Sequence, residues 1–136
     1  MAYINAIKEV SQLVSDNWTL TPVVYVNAPQ PKMHKSGAYA GFYIRVYGGS
    51  TSVESELSTE KRKVDQGLVY VDIHAPDGHA YLKSDVLARE MAILLDAKYY
   101  NGVQLGTVSI QPDAGYWQDG THVTRLTVDY VCDYSY

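Results

Sequence analysis

The chain has 136 residues and a mass of 15.2 kDa, which corresponds to one domain spanning residues 1–136. Hydrophobic residues make up 46% and charged residues 19%, and this composition excludes an intrinsically disordered chain. The net charge of −4 disfavours a dedicated DNA or RNA binder, because its field does not attract phosphate backbones.

Nearly all the aromatic side chains carry a polar group, a hydroxyl or an indole N–H, since there are 13 Tyr and 2 Trp against one Phe. Such rings suit half-buried positions and interfaces. The single cysteine, Cys132, cannot form an internal disulfide and is expected to be a small core residue. No charged and apolar stretch typical of a signal peptide is recognised at Met1, so we expect synthesis in a reducing cytoplasm. The longest aliphatic run, residues 91–95, is far shorter than the roughly 20 residues that span a bilayer, so no membrane segment is expected.

The chain begins with a predicted helix. Apolar residues recur at helical spacing from Ile4 to Val14, and the helix is expected to end near Asn17. Residues 23–26 predict a short strand, and residues 27–40, rich in Pro, Lys and Gly, predict a loop.

From Phe42 the periodicity changes to two, which predicts a strand with one buried (dry) face and one solvent-exposed (wet) face. Its wet side chains are expected to be Tyr43, Arg45 and Tyr47. The Gly48-Gly49 pair is predicted to end this strand, and residues 50–66 to form an exposed loop or hairpin tip.

A second strand follows from Gly67 and stops at the Pro76-Asp77-Gly78 turn. Its predicted dry residues are Val69, Val71 and Ile73. Its predicted wet residues are Leu68, Tyr70, Asp72 and His74.

Residues 80–95 predict a helix with two apolar stripes. One stripe contains Leu87, Met91, Leu94 and Leu95, and the other contains Leu82, Val86 and Ile93. Two stripes need two partners, so this helix is expected to pack on its own sheet and on something else.

The last third of the chain predicts two further strands. The first runs from Val103 to Ile110, has a bulge or kink at Gly106 and ends before Pro112. The second, residues 121–133, is the longest predicted strand. The whole predicts an α+β fold, a mainly antiparallel sheet with two helices packed on one face.

Standard catalytic and phosphate-binding motifs are missing, which favours a protein that is not an enzyme and needs no cofactor. The best candidate cluster for a metal is Asp72, His74, Asp77 and His79, which lie within eight residues. A turn at Asp77-Gly78 and solvated side chains explain the same residues without a metal.

Two groups of charges stand in the predicted loop. Glu54, Glu56 and Glu60 are expected to be solvated rather than catalytic. Lys61, Arg62 and Lys63 form a weak basic patch, for which a solvated or subunit-pairing role is favoured over nucleic-acid recognition.

The order of elements and the stretch RKVDQGLVYVDIHAPDGH from Arg62 to His79 resemble the tail terminator proteins of long-tailed bacteriophages. In that family a basic residue and a Gly open an alternating strand, and a Pro/Gly turn leads into a helix. The matching positions here are Arg62, Gly67, Val69, Val71, Ile73, Pro76 and Gly78, with the helix through Val86 and Leu94. Downstream the likeness continues through Gly102, Val103, Pro112, Tyr116, Gly120 and the terminal tyrosines.

This resemblance implies a structural virion protein, assembled in the host cytoplasm into a ring of six copies. The ring would cap the tail tube protein, stop its polymerisation and join the head-tail connector protein, while DNA passes through the lumen without specific binding. The expected subunit contacts are Leu82, Val86, Ile93, Tyr43, Arg45, Tyr47 and Tyr70. The loop with Glu54, Glu56, Glu60, Lys61, Arg62 and Lys63 is expected to face the lumen or the tube.

Two alternatives stay open. One is another neck, head-completion or tube protein of a virion. The other is a small cytoplasmic metal-dependent enzyme using Asp72, His74 and His79.

Overall fold

The computed structural model describes residues 5–25, 36–53, 62–76, 81–118 and 120–135. The elements in chain order are α1 (Ala6–Asn17), β1 (Val23–Val24), β2 (Tyr43–Val53), β3 (Arg62–Ala75), α2 (Tyr81–Leu95), β4 (Tyr99–Tyr100), β5 (Val103–Gln111) and β6 (His122–Ser135). Within these residues the six strands form one sheet in the order β1-β2-β3-β6-β5-β4.

The sheet is mixed, because β1 pairs with β2 in parallel while the other neighbours are antiparallel. The predicted α+β class with two helices on one sheet face is confirmed. The sequence pattern does not predict β4, because a strand of two residues shows no periodicity. The bulge predicted at Gly106 is confirmed by a register shift between Leu105 and Val108.

The core lies between the helices and one face of the sheet. In α1 the apolar stripe buries Val10 and Val14, and the Asn5 side chain caps the helix by accepting a hydrogen bond from the Lys8 backbone N–H at 3.2 Å. In α2 the stripe of Leu87, Met91 and Leu95 is fully buried. Cys132 also lies in this core, as predicted, where burial raises the pKa of its thiol to about 11.

The Gly48-Gly49 pair does not end β2, which continues to Val53, so the predicted strand end is wrong. The predicted loop over residues 50–66 is also too long, since β3 begins at Arg62. Gly48 pairs with Val69 inside the sheet, and a Cβ at Gly48 would collide with the Leu68 backbone oxygen. The glycine is therefore required by close strand approach and by its positive φ of 155°, rather than by a turn.

Candidate functional site

The sheet face opposite the helices, here called the outer face, carries a cluster of aromatic and charged side chains. Strand register places them in three cross-strand rows over β2, β3 and β6. The rows are Tyr43, His74 and Val123; Arg45, Asp72 and Arg125; and Tyr47, Tyr70 and Thr127.

The middle row is organised by the buried Asp72 carboxylate. Arg125 donates to it twice, from Nε to Oδ1 at 2.8 Å and from Nη2 to Oδ2 at 3.2 Å. The Tyr47 hydroxyl donates to Oδ2 at 2.9 Å. Hydrogen bonding to Asp72 raises the pKa of Arg125, and burial, followed by the Asp72 charge and hydrogen bond, raises the pKa of Tyr47 to about 12.

One end of the outer face is covered by the connection between β5 and β6. Its tip is closed by hydrogen bonds from the Trp117 N–H to the Thr121 carbonyl at 2.8 Å and from the Gly120 N–H to the Trp117 carbonyl at 2.9 Å. The Trp117 ring then meets the His74 ring edge-on, with centroids 5.7 Å apart. His74 also stacks on Tyr43 at 4.3 Å, and its Nδ1 lies 2.8 Å from the Thr121 hydroxyl.

Arg45 lies beside this covered end and is half-buried. Its guanidinium carbon is 4.9 Å from the centroid of the Trp117 ring and 6.0 Å from that of Tyr43. Within the described residues its Nε is buried without a hydrogen-bond acceptor. Among the described residues, the contacts of the Arg45 side chain are with these aromatic rings.

The predicted wet positions of Tyr43, Asp72 and His74 are wrong, because their exposed fractions are 1%, 0% and 0%. Alternation in the sequence correctly separated the two faces of the strands. It contained no information about the β5–β6 connection, which folds back over the outer face. Arg45, Tyr47 and Tyr70 are half-buried and reach the surface at the uncovered part of that face.

The candidate metal cluster is not assembled as the metal alternative requires. Asp72 is bonded to Arg125 and Tyr47, and His74 is enclosed by rings and Thr121. Asp77 and His79 lie outside the described residues. Across the part of the chain that the structure describes, no three His, Cys, Asp or Glu side chains come close enough to hold a metal.

A second surface lies on the far side of the molecule, on α2. Its outer stripe, consisting of Leu82, Val86 and Ile93, is 77%, 47% and 72% exposed. Ile93 also lines an open groove of about 400 Å³ between α2 and the end of α1, together with Asn17, Trp18, Thr19, Leu20, Glu90 and Leu94. In the part of the chain that the structure describes, the outer stripe is exposed rather than packed on the sheet.

The charged loop residues are placed only in part. Glu54, Glu56, Glu60 and Lys61 lie outside the described residues. Arg62 and Lys63 begin β3, where they pair with Ser135 and Tyr134 of β6. Their role toward a lumen or tube stays a prediction.

Trp117, Thr121 and Arg125 belong to the site but were not singled out from the sequence. Arg125 could have been suspected, since it alternates on the wet face of its predicted strand as Asp72 does on another. Their pairing depends on the register between β3 and β6, which the sequence pattern does not contain.

No family model and no curated protein matches the chain. A solved structure of a protein whose name indicates no activity superposes with a TM-score of 0.60 at 18% identity, covering 92% of this chain and 88% of that one. This likeness supports the fold alone. Among the described helices, none has the length and apolar character needed to cross a membrane.

Proposed function

We propose that the protein is a structural subunit of a bacteriophage virion, forming a ring of six copies that caps the tail tube. The observation that carries the proposal is the outer stripe of α2, three large aliphatic side chains exposed on a well-formed helix. A second copy that covers them removes this apolar area from water. The family resemblance of the sequence supplies the type of assembly.

The composition of the outer face also favours an assembly. Tyr47, Tyr70 and Arg45 reach its surface, and Tyr, Trp and Arg are the residues most enriched at the energetic centres of protein interfaces. The stacked rings of Tyr47 and Tyr70, 5.2 Å apart, form a rigid platform that loses little side-chain entropy on binding.

A ring of such subunits stops a tube by geometry. A tube grows because each ring presents a head-to-tail surface that matches the next, whereas a cap binds one such surface and does not reproduce it on its far side. Six identical weak contacts act together, so each single contact with the tail tube protein can be modest. The opposite side of the ring would meet the head-tail connector protein.

DNA passage agrees with the charge of the chain. A net charge of −4 avoids strong attraction between a lumen and the phosphates that pass through it. We assign this lining to the segment with Glu54, Glu56 and Glu60, on the sequence resemblance alone.

The test is the mass in solution by light scattering, followed by negative-stain imaging, of the protein alone and with tail tubes. A single closed ring that binds tube ends supports the proposal. Open-ended polymerisation would instead indicate a tube subunit, and a ring that does not bind to tail tubes would indicate another neck protein. A protein that stays monomeric and does not bind to tail tubes would overturn the proposal.

The contribution of α2 is tested separately with Val86→Glu. If the outer stripe is the contact, this variant folds and fails to form the ring. A ring of unchanged mass would exclude the stripe. A metal-dependent enzyme is not proposed, because Asp72 is committed to Arg125 and Tyr47.

A further inference from the structure

We infer that Arg45 of one copy pairs with Glu90 of the neighbouring copy, in a contact that lays the outer stripe of α2 on the outer face of the next sheet. This inference rests on the proposed function, because it specifies the contact between subunits of the proposed ring.

The Arg45 guanidinium has no carboxylate partner of its own among the described residues. Its cross-strand neighbour Asp72 is already bonded by Arg125 and Tyr47. The Arg45-Asp72-Arg125 row holds two guanidinium groups and one carboxylate, so its net charge is positive. Trp117 holds the guanidinium in place from one side. A carboxylate is the strongest acceptor for a guanidinium, and the exposed part of the half-buried Arg45 side chain can be reached by one from outside the subunit.

Glu90 has the matching position on α2. It is exposed, and it lies one helical turn from both Val86 and Ile93, along one flank of the outer stripe. On the other flank, Arg89 is already paired with Asp85 at 3.2 Å. Among the described residues, no hydrogen bond or ion pair engages Glu90.

Apolar contact and charge complementarity then point to the same arrangement. The outer stripe would rest on the Tyr47 and Tyr70 platform while the adjacent Glu90 carboxylate reaches Arg45. The two surfaces lie on opposite sides of one subunit, because α2 packs on the sheet face opposite Arg45. The contact is therefore head-to-tail, the type that closes into a ring when the rotation between subunits allows it.

A protein carboxylate is favoured over a nucleic-acid phosphate as the partner of Arg45. The chain carries 15 acidic against 11 basic residues, so a second copy offers carboxylates while the overall field repels a polyanion. The aromatic surroundings are those of a protein interface.

The experiment is a charge exchange read out as the dissociation constant of the assembly by light scattering or analytical ultracentrifugation. Arg45→Glu and Glu90→Arg alone are each expected to weaken association at least about tenfold, and the double variant to recover to within about threefold of wild type. Lys8→Glu, an equal charge change on the exposed side of α1, is the control and should leave the constant unchanged. Circular dichroism confirms folding, and Arg45→Gln replaces Arg45→Glu if that variant does not fold.

A cross-link tests the same contact directly. A mixture of Arg45→Cys and Glu90→Cys chains should be joined by a flexible bismaleimide, because an Arg–Glu pair holds the two backbones farther apart than a disulfide can bridge. The sheet and α2 separate these positions within one chain, so the link forms between chains. Cys132 does not compete, since it is buried and its thiol pKa is raised to about 11.

The outcomes separate the two proposals. An assembled wild type whose mass survives both charge reversals, with no cross-link, overturns the Arg45–Glu90 pair and leaves the ring standing. A wild type that is monomeric even with tail tubes, and does not cross-link, overturns both. Binding of a duplex oligonucleotide that Arg45→Gln abolishes would also overturn the pair, by showing that Arg45 takes phosphate.

Discussion

Asp72 on β3 and Arg125 on β6 form a two-point ion pair across neighbouring strands, with the shorter contact at 2.8 Å. The carboxylate is fully buried, whereas the arginine side chain is 33% exposed. The pair joins the two central strands on the outer face and lies beside the Tyr47 and Tyr70 rings, next to which Arg45 is placed.

Removing one partner of this pair should be costly. Asp72→Asn leaves the Arg125 guanidinium without its counter-charge and is expected to lower the free energy of unfolding by about 3 kcal/mol. Chemical denaturation measures the loss. Asp85→Asn, which breaks the exposed Asp85–Arg89 pair, is the control and should cost less than about 0.5 kcal/mol. Equal losses for both variants would contradict the assigned role of Asp72.

The free energy of unfolding should fall at alkaline pH because the Tyr47 hydroxyl ionises. The pKa of Tyr47 is raised from 10.0 to about 12, so the unfolded chain loses this proton first as the pH rises. The stabilisation is fully present below pH 10.0 and is lost as the pH approaches about 12. Denaturation at several pH values should show a shallower alkaline loss for Tyr47→Phe than for wild type. Parallel curves would show that another group causes the loss.

The close approach of β2 to β3 predicts different tolerances at two adjacent glycines. Gly48→Ala puts a methyl group against the Leu68 backbone oxygen and is expected to destabilise by about 1–3 kcal/mol. Gly49→Ala meets nothing within 4 Å and should be neutral or slightly stabilising. Thermal unfolding of the two variants decides, and similar midpoints would refute the close approach.

The β5–β6 connection that covers His74 should be held in place by the Trp117 ring. Trp117→Ala removes the contacts to His74 and Arg45 and is expected to speed hydrogen exchange across residues 114–121. The core strands should keep their protection. Gln118→Ala, at an exposed side chain in the same connection, is the matched control and should change little. Unaltered exchange in Trp117→Ala would show that hydrogen bonds alone hold the cover.

Periodicity along the chain predicts both helices, the long strands and the faces of each, although it misses β4 and ends β2 too early. Alternation identified Val69, Val71 and Ile73 as core residues, and helical spacing separated the buried stripe of α2 from the exposed Leu82, Val86 and Ile93. These features are local, because each depends on a repeat of two or 3.6 residues along one element. The same reasoning placed Tyr43, Arg45, Tyr47 and Tyr70 on one sheet face.

The contacts on that face depend on residues that are distant in the chain and meet only in the folded protein. Asp72 and Arg125 are 53 residues apart in the chain, and their pairing follows from strand register rather than from any short motif. The burial of Tyr43 and His74 follows from a connection that folds back to bring Trp117 over them. Non-local contacts of this kind reverse a prediction based on alternation, because alternation records which face a side chain takes but not what covers that face.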